Sequence, residues 1–184
     1  MNKTSKSMKV LDLIPRMDDN RIFGLFQNAV RLLGTDKDSD AKMVLERIGL
    51  EWKKRKEAYL RGTYKPAFPK KGMLATFGYH VGETEGVKKK YRQEILNQIM
   101  TLDLPIVQSP AYTAEWHEKN SCSRLKKISN SLSAFIYDAQ HGYKANLNFD
   151  MAVMDWSDDL DFMKENFYNK MNCKYKWPEI EIKD

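Results

Sequence analysis

Apolar residues recur along this chain at the three- and four-residue steps of helices. Between Asn20 and Leu33, the residues Ile22, Phe23, Phe26, Ala29, Val30 and Leu33 make one apolar face. Asp18 and Asp19 stand where N-caps belong, and Gly34 follows as a stop. A second helix is predicted from Asp40 to about Arg61, with Ala41, Val44, Leu45, Ile48, Trp52, Tyr59 and Leu60 inward and Gly62 at its end. A third starts at Thr84 and carries Val87, Tyr91, Ile95, Ile99 and Leu102 on one side, until Leu104-Pro105 stops it. Ser109-Pro110 opens a short helix to about His117, with Tyr112 and Trp116 four residues apart. Ser121 or Ser123 caps the next, from Arg124 to about Gln140, whose core face is Leu125, Ile128, Leu132, Phe135, Ile136 and Ala139. The last runs from Asn148 or Asp150 to about Met171, with Ala152, Val153, Trp156, Leu160, Met163 and Phe167 as its buried stripe.

Two stretches resist this pattern. Met73 to Gly82 reads either as a short helix ending near Gly78 or as an extended segment over Phe77 to Val81. The tail from Trp177 to Ile182 alternates as a strand does. The fold class expected is therefore mainly α, a single-domain bundle of about six helices, with a small β element near 73–82 and the C-terminal tail left open. Residues 62–71, with Pro66, Pro69 and three lysines, form the candidate internal linker between a helical hairpin at 19–61 and a main body at 72–171.

Charge changes the picture. Residues 42–92 hold fourteen Lys or Arg against five Asp or Glu, a balance of +9 in a chain whose total is +6. Residues 150–171 hold six acids against two lysines, a balance of −4. Such asymmetry bears on partners rather than on fold. The residues singled out are Lys53, Lys54, Arg55 and Lys56 on the outer face of the second helix, Lys70 and Lys71 in the loop, and Lys88, Lys89, Lys90 and Arg92 at the start of the third. Cations at a helix N-terminus oppose its dipole, which suggests they are kept there for a partner. Aromatics beside them (Trp52, Tyr59, Tyr91) can stack on bases, although their spacing also suits a core. Gly72 to Arg92 has the pieces of a helix-turn-helix, short of a convincing base-reading face.

Catalytic chemistry finds little support. His80, His117 and His141 show no metal-ligand spacing, and no Cys-x-x-Cys is present. Ser121 and Ser123 read as helix caps rather than nucleophiles, since no Gly-x-Ser-x-Gly elbow surrounds them. Asp155, Asp158, Asp159 and Asp161 read as an outward-facing acidic helix start. Glu181-Ile182-Lys183 matches three residues of a nuclease strand without an upstream metal-binding Asp. No segment has the roughly 18 uninterrupted apolar residues of a membrane span. The apolar stretch after Val10 is broken by Pro15, Arg16, Asp18 and Asp19, so no secretory leader is expected. Cys122 and Cys173 are then expected as reduced thiols in a cytoplasm.

The sequence thus reads as a cytoplasmic helical protein that binds DNA or RNA without catalysis through its 42–92 basic region, needing no cofactor, metal or membrane. The alternative is a helical interaction module, or a subunit of an assembly, whose basic face meets an acidic protein. A metal-dependent nuclease is the remote third.

Overall fold

The computed structural model describes residues 4–67, 69–84, 86–142 and 149–180. The chain is mainly α-helical, at 65% helix, about twice the share of an average globular protein. The described helices are α1 (Thr4–Leu13), α2 (Asp19–Leu32), α3 (Asp38–Leu60), α4 (Met73–Thr76), α5 (Lys89–Thr101), α6 (Pro110–Ala114), α7 (Cys122–His141) and α8 (Asp150–Asn166). No strand occurs among the described residues. The chain divides into two compact units, one of Met1–Gly78 with Leu102–Thr113, the other of Tyr79–Thr101 with Ala114–Asp184. Residues 62–71, expected to link a hairpin to a main body, lie inside the first unit.

In the first unit α2 and α3 pack against each other, and α1 lies beside α3. Asp18 accepts the Arg21 amide at 2.8 Å, which fixes the start of α2 as its sequence predicts. The inward faces of α2 and α3 meet around Trp52, which is 1% exposed. The rings of Phe23, Phe26 and Phe77 surround it at centroid distances of 5.7, 5.7 and 5.2 Å. These tilted contacts, with Phe77 edge-on to Phe23 and Phe26, add to the burial itself. Phe77 reaches this cluster because α4 is a single turn that Gly78 ends at φ +85°. A Cβ there would also lie 2.8 Å from Gln27 Nε2. Residues 73–82 therefore adopt the short-helix alternative, and the extended segment over Phe77–Val81 does not form.

The second unit packs α7 against α8, with α5 on both. Ser121 accepts the Arg124 amide at 3.1 Å and caps α7. The buried Arg124 guanidinium donates to the carbonyls of Ile99, Trp116 and His117, so it ties the end of α5 to the turn before α7. Ala152, Val153, Leu160 and Met163 of α8 are buried as expected. Trp156 is not: it is half-buried and rests against Phe135, itself 40% exposed, at 5.6 Å.

Other expectations shift at their ends. α1 is an addition to the helices expected: its apolar residues, Met8, Val10, Leu11 and Leu13, are crowded into its second half. α5 begins at Lys89 rather than Thr84, and α8 ends at Asn166 rather than Met171. Asn148, the alternative start of α8, lies outside the described residues, as does Glu181-Ile182-Lys183. The tail is neither helix nor strand over 173–180. The cysteines are not free thiols: Cys122 and Cys173 form a disulfide, with Cα atoms 5.5 Å apart.

Candidate nucleic-acid interface

The ten basic residues singled out from the sequence separate into spent and unspent charges. Arg55 is spent. It lies one turn after Glu51 and next to the inward side of α3 marked by Trp52, so it is buried. Its Nε donates to Glu51 Oε1 at 2.9 Å and its Nη1 to Asp19 Oδ1 at 2.7 Å. Nη1 also reaches Tyr64 Oη at 3.3 Å, and Nη2 donates to the Met17 carbonyl at 2.6 Å. Asp19 accepts further bonds from Tyr64 Oη at 2.6 Å and from the Ala67 amide at 3.0 Å. The expectation that Arg55 faces outward is therefore corrected. Its guanidinium instead holds the 62–71 loop against the starts of α2 and the end of α3.

This network tunes its members. Burial alone would raise the Asp19 carboxyl, but hydrogen bonds from Tyr64, Ala67 and Arg55 outweigh it and leave the group below its ordinary value. Burial and the Asp19 carboxylate push the Tyr64 phenol up to about 12. At neutral pH the Asp19 carboxylate thus faces the Arg55 guanidinium, with the neutral Tyr64 phenol donating to it.

Around it the lysines remain in water. Lys53 and Lys54 on α3 are exposed, as are Lys65, Lys70 and Lys71 in the loop, while Lys56 is half-buried. Lys54 and Lys65 line a single cleft of about 520 Å³ together with Met17, Asp18, Arg55 and Tyr64. The Pro69 and Lys70 carbonyls accept from Gln108 at 3.1 and 3.2 Å, which anchors the loop backbone where Lys70 and Lys71 project. Lys65, counted among the three lysines of the loop but not among the ten singled out, is brought in by the Tyr64 and Ala67 bonds to Asp19. A tyrosine beside a lysine in a Pro-containing loop was its only local signal.

The second cluster is largely neutralised from within. Arg92 is 3% exposed. Its Nε donates to Asp159 Oδ2 at 2.8 Å, its Nη2 stands 2.8 Å from Asp155 Oδ1, and its Nη1 donates to the Val87 carbonyl at 3.0 Å. Tyr79 Oη donates to the same Asp159 oxygen at 2.7 Å, and the Gly82 amide to Asp155 Oδ2 at 3.0 Å. Lys89 pairs with the exposed Asp158 at 2.8 Å. The outward fan expected for the α8 carboxylates is thus corrected for Asp155 and Asp159, which face α5. Asp159 is fully buried, and its Oδ1 has no hydrogen-bond partner. Burial raises its carboxyl above the ordinary value despite Arg92 and Tyr79, and raises Tyr79 well above its own. Lys88 and Lys90 remain exposed.

The remaining chemistry is ordinary. α4, at four residues, is too short to serve as the first helix of a helix-turn-helix. His80 is half-buried, His117 is exposed, and the exposed His141 stacks on Tyr137 at 4.6 Å. Among the described residues no three His, Cys, Asp or Glu side chains stand where they can share a metal ion. No described helix is long and apolar enough to cross a membrane. Compared with models of known protein families, with curated proteins and with solved structures, the chain matches none of them.

Proposed function

We propose that this chain binds DNA or RNA through the lysines of α3 and the 62–71 loop, neutralising phosphates with little preference for sequence. One observation carries the reading: Lys53, Lys54, Lys65, Lys70 and Lys71 are all exposed on one unit, while the Arg55 beside them is consumed by Asp19 and Glu51. Lysine offers a mobile point charge, whereas base recognition favours the planar fork of arginine. A surface that keeps its lysines and buries its arginine suits the phosphate backbone. Lys88 and Lys90 are secondary contacts in this reading, and Arg92 is excluded from it.

Binding of this kind weakens with salt, by a log–log slope of about −0.9 per phosphate contact on duplex DNA. Titration of the full chain against duplex and single-stranded oligonucleotides at several salt concentrations checks it. Replacing Lys53, Lys54 and Lys65 by Ala is expected to flatten the slope by up to about three contacts' worth. The same change at Lys88 and Lys90 is expected to flatten it less. An unchanged slope in a folded triple variant would refute the assignment. A second reading, an interaction module, is favoured by the apolar side chains that α7 and α8 leave in water: Tyr137 and Met154 are 64% and 62% exposed. An acidic protein that binds where oligonucleotides do not would select it.

A further inference from the structure

We propose that the Cys122–Cys173 bond is a reversible redox site, opened by a dithiol reductant, and that opening it frees the segment 171–180 from α7 and α8. The bond is placed for exchange. Both cysteines are half-buried rather than sealed in the core. Cys122 is the first residue of the 20-residue α7, and Cys173 follows a left-handed turn at Asn172, φ +49°. The two are 51 residues apart in the chain. Apart from the bond, the segment is held through a few side chains, chiefly the buried Trp177 and the Tyr175 ring beside Tyr168. Residues 173–180 form neither helix nor strand. Tyr168 Oη donates to the Tyr175 carbonyl at 2.5 Å, and the Tyr168 ring lies 4.8 Å from that of Trp177. Lys126 Nζ stands 5.8 Å from the Tyr175 ring centroid. Between the segment and Ser157, Leu160, Asp161 and Lys164 of α8 lies a cleft of about 600 Å³, so its packing is incomplete.

The helix sets the direction of attack. A departing thiolate is stabilised at the positive end of a helix, and the better-stabilised sulfur leaves faster. A reductant thiolate therefore attacks Cys173 Sγ, the S–S bond breaks, and Cys122 leaves as the thiolate. The reductant's second thiol then attacks its own sulfur in the mixed disulfide. This closes the reductant into a cyclic disulfide and releases Cys173 as a thiolate. The protein gains two electrons and takes up two protons as its thiolates become thiols, and the dithiol is oxidised by the same amount.

The test uses the full chain purified without reductant, before and after dithiothreitol. Alkylation with iodoacetamide and mass measurement is expected to find no reactive thiol before treatment and two after. Tryptic cleavage after Lys174 and Lys176 is expected to accelerate about tenfold or more, because a released segment opens locally, while far-UV circular dichroism keeps its helical signal. The Cys122→Ser, Cys173→Ser double variant is expected to be cleaved at the fast rate without reductant. Reduced glutathione, a monothiol, is expected to leave its adduct on Cys173. Free thiols before treatment, or an unchanged cleavage rate, would overturn the proposal. So would loss of the helical signal on reduction, which would make the bond a staple of the whole unit. A glutathione adduct on Cys122 would overturn the direction of attack.

Discussion

The two basic runs look alike on paper and behave differently in the folded chain. Each places an arginine among lysines on a helix, Arg55 in α3 and Arg92 in α5, and each arginine is buried against two carboxylates. They differ in what happens to the lysines. In the first unit the nearby acids, Asp19 and Glu51, are absorbed by Arg55, and the surrounding lysines keep their full charge. In the second, the acidic start of α8 reaches across to α5, and Lys89 is paired with Asp158 as well. The acidic stretch that seems to oppose the basic middle is in fact the internal counterion of its second half. A run of like charge marks a surface only where the fold brings no opposite run alongside.

The strongest way to break this comparison is to remove the arginines. Arg92→Ala strands two carboxylates, one fully buried, and is expected to cost about 3–5 kcal/mol in denaturant unfolding, as breaking a buried pair does. Arg55→Ala is expected to cost less, about 2–3 kcal/mol, because Tyr64 and the Ala67 amide still satisfy Asp19. Equal losses, or the reverse order, would show that the second cluster is no drier than the first.

Acid sharpens the contrast with a smaller effect of opposite sign. The Asp19 carboxyl lies below its ordinary 3.8, so its contribution to stability is present above that value and lost as pH falls through its folded value. The Asp159 carboxyl lies above 3.8, so its contribution is complete at and below that value and lost as pH rises through its folded value. Urea unfolding across about pH 3 to about pH 6 separates the two. Asp19→Asn is expected to flatten the loss at the acid end. Asp159→Asn is expected to remove a term that falls with rising pH above 3.8. Parallel responses would contradict the assignment of one carboxyl as stabilised and the other as desolvated.

Most helices were legible because their signals are local. The stripe of α2, the Asp18 and Ser121 caps and the Ser109-Pro110 start all act within four residues. α1 offers only a short stripe in its second half, and Thr84 resembles a helix start without being one. The site was legible in part. Glu51 and Arg55 share i, i+4 spacing, which hints at a pair, but Asp19 is 36 residues away from Arg55. Asp159 gave a clue that the acidic composition hid: the helical period through Ala152, Trp156 and Met163 passes through it. A carboxylate at a core phase calls for a buried cation, and Arg92 is that cation. The disulfide left no sign beyond two cysteines, since nothing local brings residues 122 and 173 together.

Each unit is assembled from two separated stretches of chain. That arrangement governs the order in which the protein can be made. When synthesis has passed Gly78, the first unit still lacks Leu104, Ile106 and Val107, all of them buried. Gly49, whose Cβ would come within 3.1 Å of a Leu102 methyl, is waiting for a neighbour that has not yet been translated. By the time those residues emerge, α5 is already out and has neither Asp155 nor Asp159 to meet Arg92. A chain that stops at Gly78 or at Thr101 therefore holds no complete unit, and a nascent chain must carry unfinished apolar surface until much later residues leave the ribosome.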